Sequence, residues 1–295
     1  MNLILKSSIN KKRKEFDATS TGRTIPKGIL DGVTEFLDVP YIKDGDRAHM
    51  LDMYCPTSHE EQVPVIVNIH GGGLIMGSKE FNRHFCLRLC NHGYLVFSIE
   101  YRLCPETSVF GQLQDIAAAM NYIDKMIPKF RGTLGIVHMV GDSAGAFLAL
   151  YTAAIQRNPM LARASGVRPS YLEIQSMALI SGMFYTIRKD SIGLFLPKAL
   201  YGEGYKSHAF YPYLDPSVPA VGLSLPPCML ITSKRDKLFS YTKDLSQALH
   251  RCGTPHTLKN YGDDPNLYHA FCVFEPELPE SRMVIHDIIN YFREN

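Results

Sequence analysis

The chain has 295 residues, 45% of them hydrophobic, which is enough for a full core and within the size of one large α/β domain. Lysines and arginines outnumber acidic residues by only 31 to 29, and with no long basic run this balance excludes the electrostatic footprint of a nucleic-acid-binding protein. The seven cysteines, Cys55, Cys86, Cys90, Cys104, Cys228, Cys252 and Cys272, are odd in number and never spaced as CxxC, which speaks for reduced thiols and against a disulfide framework.

The opening stretch "MNLILKSSINKKRK" carries its apolar residues before its charges, the reverse of a signal peptide, and the basic run at 11–14 reads as a solvated face. No apolar run is long enough to span a membrane, so the expectation is a soluble, cytoplasmic protein. "VTEFLDVPYI" and "AHMLDMYCP" alternate in polarity around "KDGDR" and predict a hairpin. "VPVIVNIH" (63–70), "YLVFSIEY" (94–101), "GIVHMV" (135–140), "SMALIS" (176–181) and "CMLITS" (228–233) are short, β-rich and almost continuously apolar, as strands covered on both faces are. "HTLKNY" at 256–261 follows as the last strand.

Between the strands lie helical patterns. They are "FNRHFCLRLCNHG", "LQDIAAAMNYIDKM", "GAFLALYTAAIQRN" and "TKDLSQALHRCG", two of which close on a glycine suited to a helix end. Cys86 and Cys90 could face one way on the first of these and read as core-filling residues, not half a metal site. In the terminal "SRMVIHDIINYFREN", Val284, Ile285, Ile288, Ile289 and Phe292 form one helical stripe. This alternation predicts an α/β fold: a mainly parallel eight-stranded sheet with right-handed crossovers and helices on both faces. Two regions break the pattern, residues 1–30 or so and an insertion at about 183–222. The insertion is rich in rings (Phe184, Tyr185, Phe195, Tyr201, Tyr205, Phe210, Tyr211, Tyr213) and reads either as a lid over a site or as an aromatic satellite core.

The densest chemical signal is "MVGDSAGAFLAL" (139–150), in which an apolar strand turns through GxSxG into an alanine-rich helix. The turn exposes Ser143 at a strand's carboxyl end and a helix's amino terminus, where free N–H groups favour developing negative charge. Upstream, "HGGG" (70–73) directly follows a strand, and its N–H groups together with that of Ala144 can converge on an oxyanion. A phosphate loop is the competing reading, but no GK[ST] follows and no GxGxxG is present.

A serine nucleophile needs a base, and the base needs an orienting acid. Of the downstream histidines His208, His250, His256, His269 and His286, only His269 in "NLYHAF" lies in a loop after the last strand, where the base should come. Among Asp215, Asp236, Asp263 and Asp264, Asp236 leads because it ends "CMLITSKRD" one strand before that histidine, whereas "GDDPN" reads first as turn chemistry.

Together "HGGGLIMG" (70–77), "YRLCPE" (101–106), "GDSAG" (141–145), "SKRDKL" (233–238) and "YHAF" (268–271) resemble the hormone-sensitive-lipase-like branch of the α/β-hydrolase fold, which includes bacterial acetyl esterases. The resemblance implies a Ser143, Asp236, His269 triad and an oxyanion hole from the N–H groups of Gly72, Gly73 and Ala144. It implies a helical cap built from the amino-terminal segment and the insertion, with Asp142, His70 and the "YRLCPE" loop as supports. The chain departs from the family pattern at Cys104, where alanine is common, at Ala146, where a second glycine is frequent, and in "SKRDKL", which lacks the proline and second acid of DPLxD.

The expected activity is hydrolysis of short-chain, acetyl-like esters on a small-molecule substrate, with no metal and no cofactor. An amidase, formamidase or peptidase on the same triad is the alternative, and a non-catalytic binding protein a remoter one. Tyr185, Phe195, Tyr201, Tyr205 and Tyr211 are the candidate substrate contacts, since tyrosines offer both apolar faces and hydroxyls. A homo-oligomer is compatible with the sequence.

Overall fold

The alternating segments at the amino end pair as expected: β1 (Val33–Pro40) runs antiparallel to β2 (Met50–Pro56), and β2 in turn runs antiparallel to β4 (Leu95–Ile99). From there the sheet is parallel through β3 (Val63–Ile69), β5 (Gly132–Asp142), β6 (Ser176–Ile180), β7 (Cys228–Thr232) and β8 (His256–Asn260), giving the order β1-β2-β4-β3-β5-β6-β7-β8. This is a computed structural model, which describes residues 9–11, 13–15, 25–57 and 62–295. Much of the expected amino-terminal cap, residues 1–8, 12 and 16–24, therefore lies outside the described residues.

Every position of β4, β6 and β7 is buried, because helices cover both faces of the sheet and neither side of these strands meets water. Side chains alternate between the two cores. Val65 and Val67 of β3 join the core under the helices Val109–Met126 and Ala144–Arg157, while Ile66 joins the core under Arg83–Cys90 and Pro279–Glu294. The predicted stripe Val284, Ile285, Ile288, Ile289 and Phe292 is buried in full, at about 1.5–3 kcal/mol for each large apolar side chain removed from water. The helix after the GxSxG turn is buried continuously from Ala144 to Ile155, which explains why it is apolar all round. β8, by contrast, has one neighbour and a largely exposed, polar pattern, so it blunts the sheet's edge.

Cys86 and Cys90 are buried core residues, as are Cys104, Cys228 and Cys272, while Cys55 and Cys252 are partly exposed. No described helix is long and apolar enough to cross a membrane. The insertion at 183–222 folds into short helices, Ser191–Phe195, Pro197–Tyr201 and Pro219–Gly222, with single 3-10 turns between them.

Candidate active site

The carboxyl ends of the parallel strands converge on one cavity, the place where open α/β sheets bind ligands. The glycine loop follows β3, Ser143 follows β5, Asp236 stands just beyond β7, and His269 lies beyond β8. Ser143 adopts φ 52° and ψ −114°, a left-handed conformation that an L-residue holds only at a cost. Its backbone is pinned on both sides: its N–H donates to Ile180 O at 2.8 Å, and its carbonyl accepts from Met183 N at 2.9 Å.

Ser143 Oγ is 2.9 Å from His269 Nε2, and His269 Nδ1 is 2.7 Å from Asp236 Oδ1. A carboxylate only accepts, so Nδ1 carries the proton; in the neutral imidazole Nε2 is then the acceptor for the Ser143 hydroxyl. Asp236 is itself held, with Leu238 N–H donating to Oδ1 at 2.9 Å and Thr232 Oγ1 donating to Oδ2 at 3.1 Å. Burial pushes the Asp236 carboxyl up, but the bonds from His269, Leu238 N–H and the Ser181 hydroxyl outweigh it and leave the group below the usual carboxylate range.

A depressed carboxyl contributes stability that is present above its unfolded-state pKa, about 3.9, and is lost as pH falls through the lower folded-state value. The difference in melting temperature between the native chain and Asp236→Asn should therefore shrink as pH falls from about 5 to about 3. Thermal melts across that window check it, and a constant difference would show that the ionised Asp236 carries no net stabilisation.

The glycine loop is held from behind, carbonyl by carbonyl. Tyr101 OH donates to His70 O at 2.7 Å, His70 Nδ1 to Gly71 O at 2.8 Å, and both Cys104 N and Gln112 Nε2 to Leu74 O at 2.9 Å. Gly71 N–H donates to Asp142 Oδ1 at 3.0 Å, an oxygen that also accepts from Asn82 Nδ2 at 2.8 Å. His70 Nε2 lies 3.0 Å from Glu100 Oε1. A carbonyl oxygen only accepts, so Nδ1 carries a proton, and the Glu100 carboxyl beside Nε2 favours the charged form of the ring. Burial opposes that charge, but the Glu100 carboxylate prevails and the His70 pKa is raised.

Among the described residues, the N–H groups of Gly72 and Gly73 enter no backbone hydrogen bond, and Ala144 N–H lies in a helix's first turn, where it has no partner along the helix. Position 72 tolerates no side chain, because a Cβ there would fall 1.9 Å from Met76 O.

The cavity over Ser143 has a volume of about 620 Å³ and is mostly apolar, with Ile75, Met76, Met183, Ile192 and Leu196 in its walls beside Gly72, Gly73 and His269. Of the five candidate substrate contacts only Phe195 lines it. The other four need correction. Tyr201 is buried with its hydroxyl 2.6 Å from Thr186 Oγ1, and Tyr205 packs between Tyr201 and Tyr211. Tyr185 bonds Ser217 Oγ at 2.8 Å and faces a separate cavity with Arg188 and Asp244.

Tyr201, Tyr205 and Tyr211 pack on one another and, through Phe110, on Phe210, a satellite core that supports the insertion, while Tyr185 meets Tyr241 edge-on beneath the Arg188 guanidinium. Cys104 belongs to this junction, its thiol facing Leu200 O at 3.9 Å. The short helix Ser191–Phe195 supplies the real wall, and five residues are too few to show a helical period. Ser181 and Thr232, which hold Asp236, gave no signal either, being ordinary hydroxyls at strand ends.

Residues 66–273 match the family described as alpha/beta hydrolase fold. Among solved structures, esterase B from Lactobacillus rhamnosis superposes with a TM-score of 0.91 at 25% identity, over 99% of this chain and 95% of that one. An esterase from the archaeon Pyrobaculum calidifontis superposes with a TM-score of 0.72 at 24% identity, over 97% and 91% of the two chains, a likeness of fold alone. A non-reducing polyketide synthase from Stereocaulon alpinum is 36% identical over 126 residues, which are 39% of this chain and only 5% of that much longer protein.

Proposed function

The chain belongs to the alpha/beta hydrolase family, in its hormone-sensitive-lipase-like branch, as an enzyme of the carboxylesterase class, and on that premise we propose that it hydrolyses short-chain acyl esters through an acyl-enzyme on Ser143. The observation that carries the reading is the unbroken hydrogen-bond chain from Ser143 Oγ through His269 to Asp236, at 2.9 and 2.7 Å, opening into an apolar cavity.

His269 Nε2 takes the Ser143 proton as Oγ attacks the ester carbonyl, and Asp236 stabilises the imidazolium that forms. The N–H groups of Gly72, Gly73 and Ala144 receive the oxyanion. The tetrahedral intermediate collapses as His269 hands its proton to the departing alcohol, and water then repeats the sequence on the acyl-enzyme. The acyl length rests on likeness: esterase B from Lactobacillus rhamnosis was solved with a tributyrin phosphonate. The cavity volume, about 620 Å³, falls in the range of small-molecule sites.

Initial rates on p-nitrophenyl esters of increasing acyl length test this, together with labelling by a fluorophosphonate and mass mapping of the modified residue. The expected result is faster turnover of acetate and butyrate than of long-chain esters, and a phosphonyl adduct on Ser143. A chain that cleaves only N-formyl or peptide amides, or an adduct elsewhere, would overturn it.

A further inference from the structure

In the basic run at 11–14, expected to be a solvated face, Arg13 departs from that expectation. Lys11 is exposed, but the Arg13 side chain is only 19% accessible, on a helical segment whose Ile9 is buried in the main core. Among the described residues its guanidinium makes four hydrogen bonds: Nε to Ile75 O at 2.6 Å, Nη2 to Cys104 O at 2.8 Å, and a fork onto Glu106 at 3.1 and 2.7 Å. The other donors that hold the glycine loop from behind come from the loop itself or from residues 101–112, so Arg13 brings in a part of the chain outside the family-matched segment.

The peptide group that Arg13 grips is placed to matter. The Ile75 carbonyl and the Met76 N–H are opposite ends of one rigid trans peptide plane. Arg13 Nε donates to that carbonyl, and Met76 N–H donates to Gly72 O at 3.0 Å. Gly72 O is in turn the far end of the plane that carries the Gly73 N–H. Two peptide dipoles thus stand head to tail between a guanidinium and a donor read here as part of the oxyanion hole. In such a chain each bond polarises the next, and a charge at one end both orients and strengthens the donor at the other.

We propose that Arg13 is a positioning residue for ester hydrolysis, a clamp through which the amino-terminal segment fixes and polarises the Gly73 N–H by way of the Ile75–Met76 and Gly72–Gly73 peptides. The inference rests on the reading of Gly72 and Gly73 as oxyanion donors. Lysine replaces it only in part, because a single ammonium lacks the planar fork that reaches Ile75 O, Cys104 O and Glu106 together.

The test compares the native chain with Arg13→Ala, Arg13→Lys and the exposed control Lys11→Ala, on p-nitrophenyl acetate, with and without added ethylguanidinium. Direct loss of an oxyanion donor costs about 10²–10³-fold in kcat. One step removed, Arg13→Ala should lose about tenfold in kcat with KM within about twofold, and Arg13→Lys should fall between the two. Ethylguanidinium should restore part of the loss where ethylammonium does not, and Lys11→Ala should match the native chain.

An unchanged kcat in Arg13→Ala, a rise in KM alone, or rescue by ethylammonium as good as by ethylguanidinium would overturn the clamp. Hydrogen exchange of the amides at 72–76, measured on the same proteins, separates this from the function itself. If the native chain cleaves no ester, the functional reading fails on its own; faster exchange in Arg13→Ala then supports the clamp, and unchanged exchange overturns it.

Discussion

Ser143→Ala is expected to lower kcat on short-chain esters by about 10⁴-fold or more, and Ser143→Gly to do the same while melting at a higher temperature than Ser143→Ala. The activity loss follows from removing the oxygen that His269 Nε2 faces at 2.9 Å. The stability difference follows from the backbone. Alanine inherits the φ of 52° and ψ of −114° with its Cβ in place, whereas glycine adopts that region without steric conflict. Strain of this kind is worth about 1–3 kcal/mol, of which glycine's extra unfolded-state entropy returns about 0.5–1 kcal/mol, leaving a net gain of about 1 kcal/mol. For a chain of this size that is a shift of about 2 °C. Steady-state kinetics and calorimetry on the two variants check both parts. Retained activity in Ser143→Ala would remove the nucleophile, and equal melting temperatures would remove the strain.

Gly145→Ala is the second large effect, and it acts on two parts of the site at once. A Cβ at 145 would lie 2.0 Å from Ile69 O and 2.6 Å from His70 O, both backbone atoms at the point where β3 enters the glycine loop. Neither partner can give way harmlessly. Moving the helix start displaces Ser143 and the Ala144 N–H, and moving the strand end displaces Gly72 and Gly73. Overpacking against backbone should cost about 3 kcal/mol in stability, and a displacement on the order of 1 Å at the reacting groups about 10²-fold in kcat. Urea unfolding gives the first number, and kcat per site titrated with a phosphonate gives the second. A variant with native stability and native kcat would mean that helix and strand are not in the contact described.

The same contact explains why this corner was legible in the sequence. A glycine two residues on either side of a serine, between an apolar strand and an apolar helix, is a steric requirement written into residue types: at Gly141 a Cβ would meet Gly145 O at 2.5 Å. The strands were legible for a similar reason, since burial on both faces leaves almost continuously apolar runs such as "VPVIVNI" and "CMLIT". Ser143, Asp236 and His269 could be singled out because each follows a strand in the order that the fold imposes, and they stand within hydrogen-bond reach of one another.

What could not be read shares a different character. In the insertion Tyr201 and Tyr185 satisfy their hydroxyls on Thr186 and Ser217, 15 and 32 residues away, pairings that no local period encodes. Arg13 sits between Lys11 and Lys14, both exposed, and the tertiary approach of Ile75, Cys104 and Glu106 separates it from them. Ser181 became a support of Asp236 through the positions of β6 and β7 side by side, a fact of sheet order that composition does not carry, and Thr232 through the turn that folds Asp236 back onto the end of β7.

The cysteines of the two cores have a consequence for the life of the folded chain. Burial pushes the Cys228 thiol up to about 12 and the Cys55 thiol up to about 11, and drives Cys86, Cys90, Cys104 and Cys272 higher still. In the native state such thiols are poor nucleophiles, and all of them except the partly exposed Cys55 are buried away from reagents. Once the chain opens they return to an ordinary thiol pKa of about 8.5, and any pair can form a mixed disulfide or a wrong link in the presence of oxygen. Denaturation in air is then a one-way event, and the working lifetime of this protein outside a reducing medium is set by how seldom it unfolds, whatever its equilibrium stability.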